Sequence, residues 1–155
     1  MNNTINVYNT RFDDDRLITL VKEASHDYGE EGKGIIDSPE KAAEVVISLF
    51  EADRLPEERL WLLALDGQRK IAGAFEVSHG TLLSSIVHPR EIFSRAILCG
   101  SASIILLHNH PSGRLDISEK DNEVTRRIKL AGELMGIRLD DHIIIAAGGE
   151  FVSAL

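Results

Sequence analysis

The sequence has little cysteine, a deficit of basic residues and no long run of apolar residues. Cys99 is the one cysteine among 155 residues, which rules out a disulfide within the chain. It is expected to pack as a small buried hydrophobe. No apolar stretch is long enough to cross a bilayer, and no signal-peptide pattern is visible. These absences predict a soluble, cytoplasmic protein that makes no membrane contact.

The charge balance is acidic. The chain carries 25 Asp and Glu against 17 Lys and Arg, a formal net charge of -8 at pH 7. A protein held mainly on nucleic-acid phosphates needs a basic face, so direct binding to nucleic acid is not expected. Arg126, Arg127 and Lys129 are the candidates for a minor basic face. The sequence does not indicate the oligomeric state.

Apolar periodicity predicts a mixed series of strands and helices, for which one domain suffices. We expect an α/β (α+β) sandwich, with a largely antiparallel curved sheet between helices. The first eight residues read as a loose arm or an edge strand, residues 16–24 as a strand or a helix, and residues 27–34 as an exposed loop. The predicted helices are residues 38–52, 88–100 and 118–136, and the predicted strands are residues 60–65, 70–77, 81–87, 103–107, 139–147 and 151–155.

One stretch combines several metal-binding residue types. A short apolar run ends in His108, Asn109 and His110, and side chains two apart on a strand point to the same face. Ser118 then starts a helix, and Asp121 falls in its first turn. Two imidazoles and one carboxylate, with a fourth position left to water, make a catalytic zinc site. The simpler alternative is a helix N-cap followed by an acid, beside two structural histidines.

The full spacing, H-x-H-x7-S-x-x-D, resembles the JAMM signature of MPN-plus (JAB) metalloproteases. The segment H-N-H-P-S-G at residues 108–113, together with H-P-R-E-I-F at residues 88–93, resembles the RadC branch of that family. The resemblance implies a cytidine-deaminase-like fold over residues 36–155, preceded by an N-terminal arm or strand and loop at residues 1–35. These first residues are too few and too polar for the helix-hairpin-helix region of longer relatives, so a stand-alone domain is expected. Ile117 stands where relatives often have proline.

The resemblance also implies the chemistry. Zinc bound by His108, His110 and Asp121 lowers the pKa of a coordinated water to about 7 and polarises an amide carbonyl. Ser118, one helical turn before Asp121, matches the serine that stabilises the oxyanion in the family. Its oxygen can also cap the helix, since a hydroxyl accepts and donates at once.

A general base must accept the proton of the attacking water. In JAMM proteins this is a glutamate immediately before a core strand, and Glu58 occupies that place. Two alternatives remain at this stage: Glu57, if the register slips by one residue, and Glu91, in the first turn of a helix. Asp141 and His142, in a segment that also resembles RadC, either support the site from behind or are structural.

Three functions follow from these residues. The leading prediction is a zinc-dependent metallopeptidase or isopeptidase acting on a peptide or protein substrate. The second is a metal-binding module without hydrolytic activity, and the third is an accessory protein of DNA repair or mobile elements. Retention of the ligands, the serine and a candidate glutamate favours the first, while the acidic balance argues against the third.

Overall fold

A seven-stranded mixed sheet forms the centre of the computed structural model, which describes residues 4–27, 34–79 and 87–155. The strand order is β2-β1-β4-β3-β5-β6-β7. Only the β1–β4 and β5–β6 pairs are parallel, so the described sheet is mostly antiparallel. In chain order the elements are β1 Thr4–Phe12, β2 Ile18–Asp27, α1 Pro39–Phe50, β3 Arg59–Leu65, β4 Ile71–His79, α2 Pro89–Leu98, β5 Ser103–His110, α3 Glu119–Met135, β6 Arg138–Ala146 and β7 Phe151–Ser153.

The central strand β3 has apolar residues on both sides because helices cover both faces of the sheet. Trp61 and Leu63 point to the face that is covered by α1. Leu60 and Leu62 point to the opposite face, where they pack with apolar residues of α2 and α3. The result is a helix–sheet–helix sandwich, which confirms the predicted fold class.

Local sequence signals set the ends of the helices. Ser38 caps α1 and accepts a hydrogen bond from the Lys41 N–H, and Pro39 occupies the first helical position. Gly136 ends α3 in the left-handed conformation, with φ of 72°, which glycine adopts without steric cost. Within the described residues, no helix is both long and apolar enough to cross a membrane.

Helical periodicity in the sequence places Ile97 on the buried face of α2 and Met135 on that of α3, but both residues are exposed. Ile97 is 51% exposed and Met135 is 47% exposed. The buried stripe of α3 instead consists of Asp121, Thr125, Ile128 and Gly132. Apolar periodicity misplaced this stripe because two of its members are polar residues that face the site described below.

The N-terminal region contributes two strands to the same sheet. β1 lies between β2 and β4, and β2 is the edge strand, so residues 18–27 form a strand and not a helix. The strand predicted at residues 81–87 and the loop predicted at residues 27–34 fall almost entirely outside the described residues.

Candidate metal centre

His108, His110 and Asp121 meet where β5 ends and α3 begins. The two histidines lie two residues apart on β5, so both side chains project from the face that packs against α3. Asp121 is the third residue of α3 and is completely buried. His108 is also buried, and His110 is partly exposed at the strand end. The structure therefore brings together all three residues that the sequence nominated as ligands.

The separations between the three side chains fit a metal ion. Nε2 of His108 lies 3.0 Å from Nε2 of His110 and 3.2 Å from Oδ1 of Asp121. Nε2 of His110 lies 3.6 Å from Oδ2 of Asp121. A tetrahedral ion bound at about 2.0–2.1 Å holds adjacent ligand atoms about 3.3 Å apart. The observed spacings bracket that value, so these three side chains could bind a metal ion without rearranging.

Ser118 orients the Asp121 carboxylate through a capping box. Its hydroxyl oxygen accepts a hydrogen bond from the Asp121 N–H at 3.1 Å, and its own N–H donates to Oδ2 of Asp121 at 2.8 Å. Oδ1 of Asp121 is buried and has no hydrogen-bond partner. A buried carboxylate oxygen without a donor is costly unless it binds a cation. A cation bound by the three side chains would also satisfy this oxygen atom.

Asp121 is held in its charged form. Burial by itself would raise the pKa of its carboxyl group, but a protonated His108 beside it and the Ser118 N–H lower the pKa and together outweigh burial. The pKa is therefore well below its ordinary value. A charged carboxylate is the form that binds a metal ion.

Each histidine has a partner on its other ring nitrogen. Nδ1 of His110 lies 2.9 Å from the backbone oxygen of Arg114, and Nδ1 of His108 lies 2.8 Å from Nε2 of His142. His142 is completely buried on β6, where burial and the neighbouring His108 lower its pKa to about 3. It is therefore neutral near pH 7. Metal-binding histidines are usually oriented by such hydrogen bonds.

Thr125 extends the contacts behind His108, through His142. Nδ1 of His142 lies 2.7 Å from Oγ1 of Thr125, and that hydroxyl donates to the backbone oxygen of Asp121 at 2.9 Å. The sequence interpretation identified His142 and missed Thr125, although Thr125 lies one helical turn after Asp121 and thus on the same face. Asp141 bonds elsewhere: its carboxylate accepts from the His142 N–H and from the Ser153 hydroxyl.

Glu58 immediately precedes β3, the strand that lies next to β5 in the sheet. Leu60 is opposite His108 in the antiparallel β3–β5 ladder. The paired register ends at Leu60, and Glu58 lies two residues before it, outside the strand. Glu58 is partly exposed. Its position, one residue before the strand that pairs with β5, is what makes it a candidate base.

The two alternative glutamates differ from Glu58. Glu57 is exposed, and its backbone oxygen accepts a hydrogen bond from the Asn109 side chain. The Glu91 carboxylate is 53% exposed and lies 3.3 Å from Nη1 of Arg95, one turn along α2. Glu91 thus has a partner within its own helix, where an acid in the first turn is favourable in any case.

Comparison with known proteins agrees with this geometry. The family model of the RadC-like JAB domain matches residues 36–154. A UPF0758 protein of Pelobacter propionicus is 50% identical over 104 residues, which cover 67% of this chain and 45% of the relative. A UPF0758 protein of Clostridium kluyveri is 50% identical over 118 residues, which cover 76% of this chain and 50% of the relative. The chain thus spans about half the length of the curated relatives it matches.

The matched residues include every strand and helix that contributes to the site, from β3 to β6. They do not include β1 and β2, the two strands at the other end of the sheet. With a family match over most of its length, a mixed sheet between helices and a buried His-His-Asp cluster, this chain belongs to the RadC-like JAB domain family.

Proposed function

We propose that the chain is a zinc-dependent hydrolase that cleaves an amide or isopeptide bond in a peptide or protein substrate. The observation that carries this proposal is the convergence of His108, His110 and Asp121. Their ligand atoms lie within 4.8 Å of one another at a buried strand end. The family supports the proposal, because JAB domains with this residue pattern resemble metalloproteases.

The ligand set favours a catalytic zinc over a structural one. A structural zinc site usually has four protein ligands, often cysteines, whereas a catalytic site leaves one position open. Among the described residues this cluster offers three ligands, and Cys99 is not one of them. Two imidazoles and a carboxylate suit zinc among the common divalent metals. The cofactor proposed is therefore Zn²⁺.

When bound, zinc would lower the pKa of water and polarise the carbonyl group under attack. The residues of the chain supply the remaining chemistry. Glu58 would accept the proton of the attacking water and deliver it to the leaving nitrogen. Its support is positional: it lies two residues before Leu60, which pairs with His108.

Ser118 is proposed to donate a hydrogen bond to the oxyanion that develops on the substrate carbonyl. Its oxygen already accepts the Asp121 N–H, so its hydroxyl hydrogen is available for donation. The same side chain would therefore both cap α3 and stabilise the transition state. One serine can fill both roles because they use different atoms of the hydroxyl group.

Direct binding to nucleic acid is less well supported. Of the three residues of the predicted minor basic face, Arg126 pairs with Glu119 and Arg127 pairs with Glu123. These pairs reduce the positive field that phosphates would require. The acidic net charge of -8 acts in the same direction. A protein or peptide is therefore the substrate class we propose.

The test is metal-dependent cleavage of a peptide library that is prepared by digesting a bacterial proteome. New amino termini are counted by mass spectrometry after incubation with zinc-loaded protein, chelator-stripped protein and the His110→Ala variant. The proposal predicts cleavage by the loaded protein, loss of cleavage on stripping and recovery when zinc is restored. Zinc-loaded protein that produces no more new termini than His110→Ala would overturn it.

A further inference from the structure

A chain of three hydrogen bonds runs behind the metal ligands and connects two of them. It starts at the backbone oxygen of Asp121, passes through Thr125 and His142, and ends at Nδ1 of His108. The successive distances are 2.9, 2.7 and 2.8 Å. Thr125 is 6% exposed, His142 is 0% exposed and His108 is 2% exposed. Water cannot readily replace any partner in this chain.

The direction of every bond follows from its first acceptor. The Thr125 hydroxyl donates its one hydrogen to the backbone oxygen of Asp121, which can only accept. With that hydrogen used, Oγ1 of Thr125 can only accept from Nδ1 of His142. A neutral imidazole carries one N–H, so Nε2 of His142 is left as an acceptor.

His142 is neutral because its ring is completely buried and its two ring nitrogens contact His108 and the Thr125 hydroxyl, neither of them a carboxylate. Its acceptor nitrogen then requires a donor from His108. Nδ1 of His108 therefore carries the hydrogen, and Nε2 of His108 presents a lone pair toward His110 and Asp121. The protonation pattern of His108 is thus set by Thr125, which lies two hydrogen bonds away.

His110 reaches the same state by a shorter route. Its Nδ1 lies 2.9 Å from the Arg114 backbone oxygen, which can only accept. Nδ1 of His110 therefore carries the hydrogen in the neutral ring, and Nε2 presents a lone pair. The two Nε2 atoms lie 3.0 Å apart beside a carboxylate, with no hydrogen between them. Three acceptors that face one another without a donor repel unless a cation lies between them.

We propose that Thr125 and His142 are positioning residues that hold His108 in the Nδ1–H tautomer, so that its Nε2 is ready to bind a metal ion. This inference rests on the proposed metal site and extends it to two residues outside the ligand set. Without the Thr125 hydroxyl, His142 can move its hydrogen to Nε2 and donate to His108. His108 would then carry its hydrogen on Nε2, the atom that has to bind the metal.

The matched variants are Thr125→Val, which removes the hydroxyl with little change of shape, and Thr125→Ser, which keeps it. The tautomer of His108 is read in the metal-free full chain at neutral pH from the nitrogen chemical shifts of its ring. Zinc affinity is read separately by competition with a chromophoric chelator. We expect one tautomer, Nδ1–H, in the wild type and in Thr125→Ser, and a mixture in Thr125→Val.

Zinc affinity should fall about 10- to 100-fold in Thr125→Val, the usual effect of removing an outer hydrogen-bond partner. Thr125→Ser should bind zinc as the wild type does. Wild-type tautomer and wild-type affinity in Thr125→Val would overturn the inference. If Thr125→Val does not fold, the tautomer of His108 in the metal-free wild type is the test. The Nε2–H tautomer there would contradict the inference. Failure of the wild type to bind zinc would instead refute the proposed function, while the tautomer still tests the positioning role.

Discussion

The side chain of Asn109 binds the chain on both sides of Glu58. Its Oδ1 accepts a hydrogen bond from the Arg59 N–H at 2.6 Å, and its Nδ2 donates to the Glu57 backbone oxygen at 2.9 Å. Arg59 and Asn109 are 50 residues apart in sequence. Asn109 stands between the two histidines on β5, so one residue fixes the candidate base relative to the candidate ligands.

Glu58→Gln should bind zinc like the wild type and lose on the order of 10²–10⁴ in cleavage rate, the usual contribution of general acid–base catalysis. Glutamine keeps the size of the side chain but cannot accept the proton of water. Initial rates and zinc stoichiometry are measured on the same samples. Glu91→Gln is the matched control, and its rate should be near that of the wild type. Loss of turnover in Glu91→Gln, with Glu58→Gln active, would reverse the assignment.

Ser118→Ala should lower both the stability and the cleavage rate, and a second variant separates the two effects. Loss of the N-cap costs about 0.5–2 kcal/mol of unfolding free energy, and loss of an oxyanion donor costs about 10²–10³ in rate. Ser118→Asp restores the cap acceptor but offers no hydroxyl hydrogen. It should therefore recover stability in urea unfolding without recovering the cleavage rate. Full activity in Ser118→Asp would limit the serine to its structural role.

Asn109→Ala should loosen the segment that carries Glu58. The substitution leaves the Arg59 N–H and the Glu57 carbonyl without their side-chain partner, at a cost of about 1–3 kcal/mol. Hydrogen exchange at the Arg59 amide should accelerate more than exchange in the middle of β3. Zinc binding should persist, because Asn109 points away from the face that carries the ligands. Unchanged protection of the Arg59 amide would show that Asn109 does not hold this segment.

Gly132→Ala tests the packing that positions α3. An alanine Cβ at this position would lie 2.3 Å from the Ile137 backbone oxygen, closer than any real contact. Overpacking of this kind costs about 1–3 kcal/mol, which exceeds the helix propensity of about 1 kcal/mol that alanine gains over glycine. The control is Gly67→Ala, where nothing lies within 4 Å of the added carbon. Urea midpoints should fall for the first variant and stay nearly constant for the second; equal midpoints would contradict the packing argument.

The sequence predicted the elements that apolar patterning controls. The hairpin of β3 and β4, the strand that carries the histidines and the first helix all follow from short apolar runs, turn residues and caps. The predicted clustering of His108, His110 and Asp121 follows from strand alternation and helix start signals. These rules use only residues that are close in sequence, so they apply without knowledge of the tertiary structure.

The remainder depends on which strands become neighbours, and local patterns do not contain that information. Neither the pairing of β5 with β6, which brings His142 behind His108, nor the bond between Asn109 and Arg59 could be read from spacing. The exposure of Met135 was missed for a related reason. Thr125 and Asp121 take the buried positions of α3, and a hydrophobicity pattern does not count polar residues as core.

The most direct test of the account is the zinc content of the purified, metal-replete chain beside that of His110→Ala, measured by elemental analysis on folded protein. The spacing of three buried ligand atoms predicts about one zinc per chain in the wild type and a large loss in the variant. A wild-type chain that retains no zinc, or a His110→Ala chain that retains the full amount, would contradict the metal centre on which the proposed function rests.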